Sequence, residues 1–153
     1  MSDFSKILVP VDFSEGSKTV LRKAVYMAEK LEAKLYVTFV VEYIPSLYNL
    51  SVVPHLSSDL QEEELRHGVE KKLGKFINEN LDLSVAFNSK VLSGHVAEEI
   101  IRFAEVEGVG LIIMGTHGHK GFERMLLGSV AEKVLKMAPC PVLTINTFAL
   151  GEK

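Results

Sequence analysis

The chain has 153 residues, 47% of them hydrophobic and 24% charged, the size and composition of one compact domain able to bury a core. Seventeen Lys and Arg against twenty Asp and Glu leave a formal net charge of -3, so no general attraction to a nucleic-acid backbone or an anionic membrane surface is expected. The apolar runs at 35–41 and 109–115 fall far short of the roughly 20 residues that cross a bilayer. Met1 to Lys6 lacks the pattern of a secretory signal, and the single Cys140 can form neither an intrachain disulfide nor an all-cysteine zinc site. The expectation is a cytoplasmic protein with one domain over 1–153 and with neither nucleic acid nor membrane as partner.

Residues 6–11, Lys-Ile-Leu-Val-Pro-Val, read as a strand buried on both faces, with Asp12 at its carboxyl end. Ser14 suits a helix N-cap, and Val20, Leu21, Ala24, Val25, Ala28 and Leu31 then recur as one apolar stripe. A second strand is expected at 34–42, followed by an irregular loop from Tyr43 to His55. From about Ser57 to Asn80 the stripe Leu65, Val69, Leu73, Phe76 and Ile77 marks a second helix, with Glu62–Glu64 as its acidic, solvated first turn rather than a metal site. A third strand at 83–92 precedes a helix carrying Val96, Ala97, Ile100, Ile101 and Ala104. Its first-turn acids, Glu98 and Glu99, are explained by the helix dipole. Val109 to Met114 is the most strand-like segment. A glycine-rich connection from Gly115 to Gly128 leads to a helix with Val130, Ala131, Val134, Leu135 and Ala138, and Cys140 to Thr147 supplies the fifth strand. Cys140 itself, between two prolines, is expected to be buried rather than redox-active. Alternating strands and helices predict a doubly wound, Rossmann-like α/β domain with a parallel sheet and helices on both faces.

In such a sheet, ligands bind beyond the carboxyl ends of the strands where the strand order reverses. The segment from Gly115 to Ser129 has the character of an anion site. Gly115 and Gly118 lack a Cβ that would keep an anion from backbone N–H groups, and Gly128 and Ser129 open a helix whose first N–H groups favour negative charge. Two anchor points separated by a long segment suit a polyphosphate. The chain contains neither a P-loop nor the Gly-x-Gly-x-x-Gly fingerprint. Its first strand–helix turn instead carries Asp12, suited to accept hydrogen bonds from ribose hydroxyls or an adenine amino group. If Asp12 and the Gly115 segment serve one ligand, strands one and four must be neighbours, which the order 3-2-1-4-5 satisfies.

These motifs resemble the ATP-binding branch of the universal stress proteins. The likeness runs from Lys6-Ile-Leu-Val-Pro-Val-Asp12-Phe-Ser14 through Gly110-Leu-Ile-Ile-Met114-Gly115-Thr-His-Gly118 to Leu127-Gly128-Ser129-Val130-Ala-Glu-Lys-Val134. The branch's signature, Gly-x-x-Gly, nine residues, then Gly-Ser/Thr, is met at Gly115, Gly118, Gly128 and Ser129. The resemblance implies an adenine nucleotide alpha hydrolase-like fold that binds ATP with Mg2+ or Mn2+ held through the phosphates. It implies that Pro10, Val11 and Asp12 line the adenosine end, that the backbone of Val40 meets the adenine edge, and that Met114 and Gly115 flank the ribose and first phosphates. Gly118, Gly128, Ser129 and Val130 would then hold the phosphate chain. His119 stands where the family often has arginine, which leaves less fixed positive charge toward the phosphates at pH 7. The resemblance further implies a homodimer through the last strand, an edge that would otherwise be exposed.

The functional expectation is an ATP-binding stress-response regulator with a protein partner that the sequence does not identify, and with hydrolysis slow or absent. No Walker-type lysine is present, and Glu123 is the only acid between Gly115 and Ser129. No protein metal ligands are expected, since His117 and His119 read as solvated loop histidines. A nucleotide-independent dimeric module is one alternative. An adenylating enzyme is another, but it would carry a Ser-Gly-Gly-x-Asp-Ser type loop where this chain has Asp12-Phe-Ser-Glu-Gly16-Ser17.

Overall fold

The computed structural model describes residues 3–42, 58–81, 84–117 and 127–147. The elements run β1 (Lys6–Pro10), α1 (Glu15–Leu31), β2 (Lys34–Glu42), α2 (Ser58–Asn80), β3 (Phe87–Gly94), α3 (Val96–Glu107), β4 (Leu111–Gly115), α4 (Ser129–Met137) and β5 (Val142–Ile145). The strands form one sheet in the order β3-β2-β1-β4-β5, every pairing parallel. β1 therefore lies between β2 and β4, and its two faces are both covered: Ile7, Leu8 and Val9 are fully buried.

Side chains alternate across the sheet with the period of two that strand geometry dictates. Ile7, Val9, Val37 and Ile113 pack beneath α1 and α2, together with Val20, Leu21, Leu73 and Ile77. Leu8, Tyr36, Val40, Ile112 and Met114 pack on the opposite face beneath α3 and α4, with Ile100, Phe103 and Val134. Ser14 is the N-cap of α1, as its sequence position suggests, and its Oγ accepts from the Ser17 N–H at 3.1 Å. Gly108 ends α3 with φ +65, the left-handed cap conformation that glycine adopts without steric cost. Gly110 permits a closer approach: a Cβ there would lie 1.9 Å from the Asp3 carbonyl oxygen, so the N-terminal segment can cross only over a glycine.

Several expectations need correcting. Strand β3 starts at Phe87 rather than 83, because Val85 reaches the core from the bend before the strand and imitates the alternation of a strand. Val11 leaves β1 but keeps its ladder, donating to the Thr38 carbonyl at 2.8 Å. β4 starts at Leu111 rather than Val109, and β5 is confined to Val142–Ile145. Leu31, Leu65 and Leu135, each placed on an apolar stripe, are exposed. Cys140 is half-buried, and burial pushes its thiol pKa up. Glu98 and Glu99 are more than dipole residues. Glu98 reaches Lys133 of α4 at 2.9 Å, a hydrogen-bonded pair that holds its carboxyl below the usual range, and Glu99 pairs with Arg102.

Candidate functional site

The strand order reverses between β1 and β4, so the crevice lies beyond Pro10 on one side and Gly115 on the other. Here the topology brings together two regions that are about a hundred residues apart in the chain, as the single-ligand argument requires.

On the β1 side the chain turns sharply at Asp12. Its Oδ1 accepts three hydrogen bonds, from the Ser14 N–H at 3.0 Å, the Ser14 hydroxyl at 2.5 Å and the Ser17 hydroxyl at 2.6 Å. The Asp12 N–H donates to the Ser17 Oγ at 2.9 Å. The carboxylate is thus held by the first turn of α1, where the helix dipole also favours negative charge. Between Asp12 and Ser14, Phe13 takes φ +64, a left-handed conformation that costs a non-glycine residue about 1–2 kcal/mol. Its ring stacks on Phe39 of β2 (centroids 4.4 Å apart) and meets Phe76 of α2 edge-on at 5.5 Å.

On the β4 side, Thr116 joins the sheet to α4. Its N–H donates to the Ile145 carbonyl at 3.0 Å, extending the β4–β5 ladder, and its carbonyl accepts from the Gly128 N–H at 2.6 Å. Thr116 thus ties the end of β4 to the start of α4. Gly128 is the N-cap of α4, with φ -69 and no side-chain cap bond, and the first intrahelical bond runs from the Glu132 N–H to the Gly128 carbonyl at 2.9 Å. The N–H groups of Ser129, Val130 and Ala131 consequently have no intrahelical acceptor. Ser129 is exposed and Val130 half-buried.

Among the other residues singled out from sequence, Val40 and Met114 are buried beneath α3 and α4, while the Val11 side chain points into the opposite layer. Pro10 is half-buried and registers with Thr38. Gly115 has no positive φ, and a Cβ there would meet the His117 carbonyl at 3.4 Å and Val20 at 3.6 Å, ordinary contacts. Gly118 and His119 lie outside the described residues, as does the Tyr43–His55 loop. His117 places Nδ1 2.9 Å from the Thr116 hydroxyl. Among the described residues, no three His, Cys, Asp or Glu side chains gather into a metal site.

Three contributors escaped the sequence reading: Ser17, Phe13 and Thr116. Ser17 was visible as the last member of Asp-x-Ser-x-x-Ser, a spacing that brings two hydroxyls back onto one acid at a helix start.

The fold and its crevice define a doubly wound, Rossmann-like α/β protein. Residues 3–146 match the model of the universal stress protein family, and the chain belongs to that family. It is 36% identical over 143 residues to universal stress protein MJ0531 of Methanocaldococcus jannaschii, covering 94% of this chain and 82% of that one. The solved structure of MJ0577 from the same organism superposes with a TM-score of 0.74 at 27% identity, over 94% of this chain and 96% of that chain. A universal stress protein of Archaeoglobus fulgidus, solved in complex with dAMP, shares the fold with a TM-score of 0.57 at 20% identity, over 94% of this chain and 99% of that chain.

Proposed function

We propose that this protein is an ATP-binding regulator of the stress response, in which nucleotide between Asp12 and the Gly115–Ser129 segment biases conformation or dimer contacts. Hydrolysis is slow or absent in this reading. The observation that carries it is the start of α4. Gly128 has an ordinary backbone conformation that a capping Asp, Ser or Asn would adopt, yet as a glycine it brings no side chain to cap the helix. The donors of Ser129 to Ala131 thus suit an external anion beside a strand switch point.

Phosphates would take these donors and the Ser129 hydroxyl, with Mg2+ or Mn2+ held through the phosphate oxygens. The Gly128 N–H, engaged by Thr116, would close the segment rather than hold phosphate. Asp12, already oriented by α1, would face the nucleoside end with Pro10, Val40 and Met114 around it. A related protein of this fold bound to dAMP supports an adenine nucleotide as the ligand class. β5 is an edge strand with Leu143 exposed, and Leu135 and Met137 of α4 are exposed as well. These features favour a homodimer built on that edge; the same reading has it act in the cytoplasm on a protein partner.

The test is a calorimetric titration of nucleotide-stripped protein with ATP and Mg2+, wild type beside Gly128→Asp. The new carboxylate would cap α4 and repel phosphate. The variant is expected to keep its stability or gain a few tenths of a kcal/mol, while its ATP affinity falls about a hundredfold. Equal affinity of the two proteins, or no wild-type binding at millimolar ATP, overturns the reading.

A further inference from the structure

The turn that holds Asp12 is built on an uncommon residue. Asp12, Phe13 and Ser14 form a turn closed by the Asp12 side chain, whose Oδ1 stands in for a backbone carbonyl and accepts from the Ser14 N–H at 3.0 Å. Phe13 occupies the position of such a turn that takes positive φ, and it does so at +64, where glycine or asparagine is the usual choice. A bulky residue stays there only when its surroundings compel it. The surroundings are on the page: Phe39 stacked at 4.4 Å and 15°, Phe76 edge-on at 5.5 Å, and the Lys72 ammonium 4.7 Å from the ring centroid.

We propose that Phe13, clamped between Phe39 of β2 and Phe76 of α2, is a positioning residue that sets the Asp12 carboxylate for the polar edge of a bound nucleoside. This rests on the ATP reading given above. A released ring lets φ relax to negative values. The Ser14 N–H then swings off Oδ1, and the carboxylate loses one of the three hydrogen bonds that fix its rotation. The geometry also gives α2 a purchase on the site, because Phe76 and Lys72 both belong to that helix and both touch the same ring. Packing of the ring against Phe39 and Phe76 holds the residue next to the acid at positive φ. A glycine would satisfy the backbone there, and the ring's contribution is to choose one conformation.

The experiment compares wild type with Phe13→Ala, Phe13→Gly, Phe13→Tyr and Phe76→Ala. One arm measures ATP affinity with Mg2+ by calorimetry, and the other measures amide hydrogen exchange at Ser14 by NMR. Phe13→Ala and Phe13→Gly are expected to lose about tenfold in affinity and to exchange the Ser14 amide about tenfold faster, while the mid-helix Val25 amide is unchanged. Phe13→Tyr is expected to keep wild-type values in both arms, and Phe76→Ala to shift both in the same direction by less. If Phe13→Ala does not fold, Phe13→Gly and Phe76→Ala carry the comparison. Wild-type exchange at Ser14 in the folded variants overturns the proposal, as does wild-type affinity in Phe13→Gly. A wild-type protein that binds no ATP overturns the proposed function instead, and the exchange arm then decides whether Phe13 sets Asp12.

Discussion

Thr38 carries the one buried side-chain polar atom without a hydrogen-bond partner among the described residues. It is fully buried in the middle of β2, in register with Pro10 of β1 and Lys90 of β3. Burying a hydroxyl without a bond costs about 1–3 kcal/mol. Thr38→Val keeps the shape and removes the oxygen, so it is expected to raise the unfolding free energy by about 1 kcal/mol in a urea titration. A loss of stability would show that the hydroxyl is bonded. At this scale, legibility follows how local a residue's role is. The Ser14 cap was readable because it acts on its own helix turn. The Glu98 pair with Lys133 of α4 was not, since it depends on how two helices are set side by side.

At the scale of elements, the apolar periodicities located each helix among the described residues, and the errors lie at their ends. The stripe Leu65, Val69, Leu73, Phe76 and Ile77 is real, yet only the last three are buried. With 23 residues at about 1.5 Å each, α2 outreaches the eight-residue β3 beneath it, and its early turns project beyond the sheet. Leu73→Ala and Ile77→Ala are therefore expected to cost about 2–5 kcal/mol, and Leu65→Ala at most about 0.5 kcal/mol, in denaturant unfolding. A Leu65→Ala cost as large as that at Leu73 would mean that the early turns are covered in solution.

At the scale of the whole molecule, the sheet order joins a turn near residue 12 to a helix start near residue 129, and a ligand bridging the two would stabilise the folded state by mass action. ATP with Mg2+ at a hundred times its dissociation constant is expected to add about 2.7 kcal/mol, which for a chain of this size raises the melting temperature by about 5–10 °C. The Gly128→Asp protein is expected to show no such shift at the same ATP concentration. A shift of equal size in both proteins would place the ligand elsewhere.

What the sequence determined by itself is what repeats or signals over short distances. This includes the order of strands and helices, the parallel sheet, the Ser14 cap, and the glycine spacing that carries the family resemblance. Requiring one ligand to meet two distant segments made strands one and four neighbours, which the order 3-2-1-4-5 satisfies, and the sheet has that order. The tertiary structure alone decided that Thr116 ties Ile145 to Gly128, that Leu65 faces solvent, and that Phe13 sits at positive φ. The physical reason is range. Periodicity and capping are set by neighbours within a turn, whereas the backbone of Phe13 is held by rings from β2 and α2, which meet it only once the chain has folded.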